Sequence, residues 1–400
     1  MFRKIARAFS GKSAWTLSSP SEQLVALFGH PATAAGQAVT PKTAMRCAPV
    51  YASVKVLAES VAQLPLHLYR RDGEAKERAT DHPLYALLHD APNEWTSAAE
   101  FKQDMQTALC LHGNAFAFIN RVGDEVRELV QIPSDRVQVL TDRVTMEPRY
   151  KVTAADDQPR EYDRSEILHL RTIGTEPNVG LSPITQAREA IGLALAMEQH
   201  AGGLFGSGAR PAGVLKMDRP MTPEALARVR ESWQASHGGG ENSGKTAILE
   251  GGLDFKPIQF SSVDLQFQEM RRWQIGEIAR VFRIPLHMLQ DLERTTHANA
   301  ESMGRQFLTL TLSPWLELWE GAIKRSLLSA EERGQYYAEY QTDALARADL
   351  AQRFEAYAKA VTNGLLSPNE VRAAENRSPY PGGDQYRLPL NTEDAANGND

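Results

Sequence analysis

From Ser261 to Leu328 the chain reads SSVDLQFQEMRRWQIGEIARVFRIPLHMLQDLERTTHANAESMGRQFLTLTLSPWLELWEGAIKRSLL. Met270, Gln274, Ile278 and Val281 share one helical stripe, with Trp273 and Phe282 beside it, so the spacing predicts an amphipathic helix over 261–283. Pro285 disfavours helical geometry at Ile284 and stops that helix. Residues 286–298 follow, polar and aperiodic at their far end. Helical periodicity resumes near Asn299, with Met303, Phe307 and Leu310 on one side and Trp315, Leu318, Trp319 and Ile323 further on. Pro314 falls inside the pattern and predicts a kink. Two long helices around a projecting polar loop describe a wall with a finger rather than a catalytic pocket.

Working outward, residues 183–206 read as another long helix, opened by Ser182 as N-cap and Pro183 at the first helical position, and fraying near Gly202-Gly203. Between the two helices lies an insert. It comprises a strand at 213–216, a helix from Pro223 to about Ser236, a glycine-rich loop, and strands at 246–250 and 254–259. Upstream, Val50, Val54, Leu57 and Val61 mark a helix that ends before Leu64-Pro65. Leu64, Leu66 and Leu68 then alternate as a strand, with a turn at Asp72-Gly73. A short helix at 84–88 comes next. Ser97 and Glu100 then form a capping box for a helix carrying Phe101, Met105 and Leu109, which ends at Gly113-Asn114. Residues 115–172 are strand-like, giving an α+β unit. Downstream, Ala346, Leu350, Phe354, Tyr357 and Val361 predict a helix over 343–362 that stops at Asn363-Gly364. Ser367-Pro-Asn-Glu370 opens one more. Residues 1–40 and the tail from Ser378 read as flexible.

Four hundred residues suit two or three domains. An apolar fraction of 42% and a charged fraction of 24% are ordinary for a globular chain. The net charge of −6 lacks the basic excess of a tight duplex binder. Cys47 and Cys110 have no metal-ligand spacing and read as buried, reduced thiols of a cytosolic protein. No apolar run approaches the ~18 residues that span a bilayer. The basic start MFRKIARAFS lacks the apolar core of a signal peptide, leaving a short membrane-surface helix or, as expected here, a loose arm.

Gly239-Gly-Glu-Asn-Ser-Gly-Lys-Thr246 matches G-x-x-x-x-G-K-S/T, the phosphate-cradling P-loop, and a nucleotide hydrolase using Lys245 and Thr246 is the alternative reading. That chemistry needs a strand before the loop and a helix after it, and here a helix comes before and a strand after. A flexible surface loop is the expectation. Gly206-Ser-Gly208 follows a helix and reads as a helix end, not a nucleophile elbow. His82 and His89 fit no zinc spacing and read as surface or capping histidines. His287 and His297 flank the polar loop as solvated residues or, alternatively, a metal or acid–base pair. Arg271, Arg272, Arg280 and Arg283 form a solvated face, or else pair with another subunit or face phosphates. No cofactor is implied, and the balance is against an enzyme.

A run of short motifs, in one order over about residues 40–380, resembles the portal proteins of long-tailed phages and gene transfer agents. Leu64-Pro-Leu-His-Leu-Tyr-Arg-Arg71, His82-Pro-Leu-Tyr-Ala-Leu-Leu88 with Pro92-Asn93, and Gly113-Asn-Ala-Phe-Ala117 carry it. So do Gly180-Leu-Ser-Pro-Ile184, Gly208-Ala-Arg-Pro-Ala-Gly-Val-Leu215 and Glu277-Ile-Ala-Arg-Val-Phe-Arg-Ile-Pro285. Leu312-Ser-Pro-Trp315 and Gly364-Leu-Leu-Ser-Pro-Asn-Glu-Val-Arg372 complete it. Phe116 and Ile284-Pro-Leu286 depart modestly from the family's usual Tyr and Val-Pro-Pro.

The resemblance implies an α+β portal fold. After a flexible arm (1–40) would come an α/β wing (41–182), stem helices (183–208 and 261–285) around a clip (209–260), and a tunnel loop (286–298). A kinked helix with its connection (299–342), a helical crown (343–377) and a disordered tail (378–400) would complete it. It further implies a non-enzymatic ring, usually of twelve subunits, at one capsid vertex. Its partners would be other copies of itself, the major capsid protein, the terminase large subunit, the head–tail adaptor and double-stranded DNA in transit, with no membrane. Asp291, Leu292, Glu293, Arg294, Thr295, Thr296 and His297 would then face the DNA channel, and Arg228, Glu231, Glu241 and Lys245 would serve docking at the clip.

Overall fold

The structure is a computed structural model that describes residues 33–72, 75–154, 158–206, 213–217, 222–237, 253–257, 262–289, 300–342, 350–375 and 377–386. The described residues fall into two compact units. One holds Ala48–Gln186 and the residues from Ala279 on; the other holds Ala187–Ile278 and residues 33–47.

The first unit begins with α1 (Ala48–Gln63), which buries Val50, Val54, Leu57 and Val61 as their spacing predicts. Pro65 cannot continue it. β1 (Leu66–Asp72) and β2 (Ala75–Arg78) pair from Tyr69↔Arg78 to Asp72↔Ala75. α2 (Pro83–His89) is capped by His82, whose Nδ1 accepts the Leu84 N–H at 3.1 Å while Nε2 meets Glu332 at 3.2 Å. That histidine is structural, as its position predicts.

α3 (Ala98–His112) opens with the Ser97–Glu100 capping box and packs on α1. It ends on Gly113 at φ 73°, where a Cβ would collide with the Leu181 carbonyl, so only glycine fits. β3 (Asn114–Val122) pairs with β4 (Glu125–Ile132) on one side. A second sheet holds β5 (Val137–Thr141), β6 (Pro148–Thr153) and β7 (Pro159–Tyr162). β8 (Ile167–Arg171) returns to pair with β3. Phe116, Tyr150 and Ile167 form a core between the sheets, with Phe118, Val137, Val139 and Tyr162 against it.

The expected single helix over 183–206 is two pieces. One turn, Pro183–Gln186, follows Ser182; α4 (Arg188–Gly206) then begins in the second unit and runs through Gly202-Gly203 without fraying there. The expectation of a wholly flexible arm over 1–40 also changes. Residues 33–40 are folded onto α4: Ala34 N–H donates to Glu189 at 2.9 Å, Gln37 donates to Gln199 at 2.8 Å, and Thr40 caps the turn Pro41–Ala44. Gly192 makes room, because a side chain there would occupy the space of Thr33. Residues 1–32 lie outside the described residues.

β9 (Gly213–Met217), α5 (Pro223–His237) and β10 (Leu253–Pro257) form the insert, with β9 and β10 antiparallel. The predicted strand at 246–250 lies outside the described residues. α6 (Ser262–Phe282) follows. Its buried arc runs through Gln274, Ile278, Ala279 and Phe282, while Met270, Trp273 and Val281 are exposed. The inward face is thus turned away from the expected stripe. Gln274 belongs to it because its amide donates to the Ala190 carbonyl at 2.7 Å.

Back in the first unit, the predicted resumption of helix near Asn299 is α7 (Ala300–Gln306). A π-helical segment, Phe307–Leu312, joins it to α8 (Ser313–Ser326). The kink thus precedes Pro314. That residue has no N–H, and its ring crowds the carbonyl four residues back in a regular helix. A widened turn relieves both, and Ser313 N–H reaches back five residues to Leu308. The extra residue rephases the helix, which corrects the expected stripe: Phe307, Thr311 and Leu312 are buried and Leu310 is exposed.

β11 (Tyr336–Tyr340), a strand the pattern did not reveal, pairs with β1 from Leu66↔Tyr340 to Arg70↔Tyr336. α9 (Leu350–Thr362) ends at Gly364, φ 70°, and α10 (Pro368–Ala374) carries the Ser367–Glu370 box. Residues 343–349 of the predicted helix lie outside the described residues, as do 387–400. The expected disorder from Ser378 is corrected over 378–386. Asn369 receives the Tyr380 N–H and donates to Asp384, and Arg372 donates to the Ser378 carbonyl. These bonds fold the segment around α10. Among the described residues no helix is long and apolar enough to cross a membrane.

Candidate functional site

The polar loop of the opening stretch leaves from a braced base. Arg283 adopts φ 56°, a left-handed conformation, and Ile284 N–H reaches back five residues to Ala279 O at 2.9 Å, closing α6 with a C-terminal cap. Pro285 prevents continuation, and the chain makes one helical turn, Leu286–Leu289. The first four residues of the expected 286–298 loop are thus a helical turn, and 290–298 lie outside the described residues. On the returning side Thr311 donates its hydroxyl to Arg283 O at 2.6 Å, bonding the π-helical segment directly to the stop of α6. Phe282, Ile284, Phe307 and Leu312 bury around this bond, and α1 packs against both the turn and the π-helical segment. The arrangement ties the end of α6 to the π-helical segment, on either side of the residues between them.

Asp291, Leu292, Glu293, Arg294, Thr295, Thr296 and His297 all lie outside the described residues; so do Glu241 and Lys245. Arg228 and Glu231 are exposed on α5. The P-loop-like run 239–246 lies outside the described residues too, but its described flanks are α5 before it and β10 after it. That is the reverse of the strand–loop–helix order a phosphate cradle needs. Arg271, Arg272, Arg280 and Arg283 are exposed along α6. No group of His, Cys, Asp or Glu among the described residues could hold a metal ion. Cys47 and Cys110 are buried and not bridged by a disulfide, and burial pushes the Cys110 thiol up to about 12.

Polar nodes that locate the platform were not legible in the sequence. Trp319 donates its indole N–H to Gln106 at 3.0 Å across 213 positions, and packs edge-on to Phe101. Lys102 donates to the Leu64 carbonyl, and burial draws its pKa down to about 8. His169 sits between Asn114 (3.1 Å) and Tyr150 (3.2 Å). Burial, aided by Arg171 and Arg325, lowers its pKa to about 3, so the ring is neutral. Burial raises the Tyr150 phenol to about 12. No local period encodes such contacts. None of these groups is a nucleophile paired with a base; their role is to hold elements together.

The sequence model of one protein family, phage portal protein, matches residues 48–376. The probable portal protein of Streptomyces phage phiC31 is 33% identical over 372 residues, covering 90% of this chain and 81% of its own length. Among solved structures, a chain in the neck of an empty gene transfer agent particle, computed with C6 symmetry, superposes with TM-score 0.65 at 28% identity, over 85% of this chain and 94% of that one. A chain in the neck of the native particle, computed with C12 symmetry, gives TM-score 0.62 at 27% identity with the same coverage.

Proposed function

This chain belongs to the phage portal protein family, and from that premise we propose that it forms a twelve-membered ring at one vertex of a phage or gene-transfer-agent capsid. In this reading DNA enters and leaves through the ring, which docks the terminase large subunit during packaging and the head–tail adaptor afterwards. The observation that carries it is the superposition, over 85% of this chain, on a chain in the neck of a native gene transfer agent particle computed with C12 symmetry.

Three features support a passive conduit. The loop base is braced on both sides, as a finger that must hold its position against moving DNA requires. A net charge of −6 suits a channel that lets phosphates slide, since basic contacts would grip them. The insert carries exposed charge at Arg228 and Glu231, suited to a partner surface. Accordingly 41–182 is the wing, 209–260 the clip, 286–298 the channel-facing segment and 343–377 the crown. The work of translocation belongs to another protein.

Native mass measurement tests the ring: a closed assembly of about a dozen 44.3 kDa chains is expected, and a monomer at every concentration sinks the proposal. Shortening 291–297 tests the conduit. The ring should still assemble while packaging or DNA retention falls; unfolding instead would make the segment part of a core.

A further inference from the structure

Beside β6 and β8 lies a cavity of about 180 Å³ that the roles above leave unused. Arg164, Arg171 and Arg325 line it, together with Tyr150, His169 and Asn178. No aspartate or glutamate is among its described lining residues.

The lining groups can be sorted by what they have left to offer. Arg164 meets Glu147 at 3.2 Å. Asn178 donates to the Met146 carbonyl at 3.0 Å. Asn114 Oδ1 already accepts the Gly180 N–H, so it also accepts from His169 Nε2, which leaves Nδ1 as an acceptor. The Tyr150 hydroxyl therefore spends its hydrogen on His169. Arg325 donates to the His169 carbonyl at 3.0 Å, the one hydrogen bond its guanidinium makes among the described residues. Arg171 and Arg325 meet no carboxylate among the described residues.

Two more arginines crowd the corner, but their donors go to backbone: Arg121 to Ser326 O and Asp124 O, Arg333 to Arg325 O and Leu328 O. Partial burial and the neighbouring Arg171 and Arg333 pull the Arg325 pKa below its ordinary value. Positive charge therefore accumulates around this space, where among the described lining residues only Arg164 has a carboxylate partner, Glu147.

We propose that this cavity binds one small oxyanion, a phosphate or a carboxylate group, between the guanidinium groups of Arg171 and Arg325. Planar guanidinium forks suit either oxyanion. The volume is below the roughly 300–1,000 Å³ of small-molecule pockets, so a single group is accommodated rather than a nucleotide. The group comes either from free phosphate or from an acidic side chain of a second copy.

The test titrates inorganic phosphate into the full-length protein at constant ionic strength, against chloride, and reads the melting temperature. A saturable rise is expected for the wild type. Arg171→Gln should weaken phosphate affinity about tenfold or more, because a charge-assisted bond is lost. Its unliganded melting temperature should not change, since the Arg325–His169 bond remains. Arg164→Gln, whose partner is Glu147, should retain the response. Native mass measured in the same titration separates the sources. Phosphate that loosens association marks a carboxylate of another copy, and unchanged association marks a free anion; either supports the site. No saturable rise, or an equal rise in Arg171→Gln, overturns it.

Discussion

The unit formed by Ala48–Gln186 and the residues from Ala279 on buries its large side chains within itself: Trp319, Phe116, Met105, Leu68 and Leu170 are all nearly inaccessible. In the other unit α4, α5 and α6 leave Leu193, Leu226, Met270 and Trp273 on the outside, with Met270 49% and Trp273 62% exposed. Both are built from the same kinds of amphipathic helix. The difference is that the first closes helices against β-sheets around a core of large side chains, although it too leaves Trp95, Ile173 and Leu310 exposed, whereas the second is built mainly of long helices. In the ring proposed above, the exposed apolar side chains of α4, α5 and α6 are available to other copies.

The strongest test of that contrast is Trp319→Ala. It removes a buried ring and the indole bond to Gln106, and should cost about 3–5 kcal/mol in urea unfolding. A loss under 1 kcal/mol would show that the core around α8 is loose, and the comparison would break. Gly113→Ala comes next. Left-handed backbone costs an alanine about 1–2 kcal/mol, and the clash with the Leu181 carbonyl adds about 1–3 kcal/mol. Thermal unfolding of that variant should drop by several degrees, whereas Gly123→Ala, also at positive φ but with open space around it, should bear only the backbone cost.

Acid stability sharpens the same point. His169 and His67 are held neutral, mainly by burial, at about 3 and about 4. The unfolded chain binds protons below about 6.5 and the folded one does not. Their contribution is therefore fully present above pH 6.5 and is lost as pH falls toward 4 and then 3. Unfolding free energies measured between pH 7 and 4 should decline, and His169→Gln should flatten the slope. An unchanged slope in that variant would remove His169 from the account.

Thr311→Val probes the loop platform. It leaves the Arg283 carbonyl without its donor, for about 1–3 kcal/mol by denaturant titration. The smallest effect on the monomer is expected at Met270→Ser, within ~0.5 kcal/mol. Its consequence should appear instead as a smaller assembled fraction by native mass, and full assembly would mean that this face of α6 is not used.

Much of the fold was legible locally. The helix starts at Ser97 and Ser367 and the stops at Gly113, Gly364 and Pro285 each rest on interactions within a few residues, and the strands of 114–171 show in their apolar pattern although β8 pairs with β3 across about fifty residues. The site was legible only as a location. The proline stop and the resumption of helix mark where a loop must be, but not what braces it. Thr311 finds Arg283 across 28 positions, and β11 finds β1 across more than 260. The π-helical segment could not be read because helical periodicity assumes a constant phase, and Pro314 changes it. The folded ends at 33–40 and 378–386 escaped notice because polar composition predicts disorder, while side-chain bonds to α4 and α10 decide otherwise.

What the sequence determined by itself is most of the helices and their caps, because these depend on neighbours one to four residues away, and the family, because its motifs stand in order. Tertiary structure alone decided which face of α6 is buried, how its end is tied to the π-helical segment, and where arginines converge on a cavity. Those outcomes depend on groups far apart in the chain meeting at hydrogen-bond distance, which no local spacing can specify.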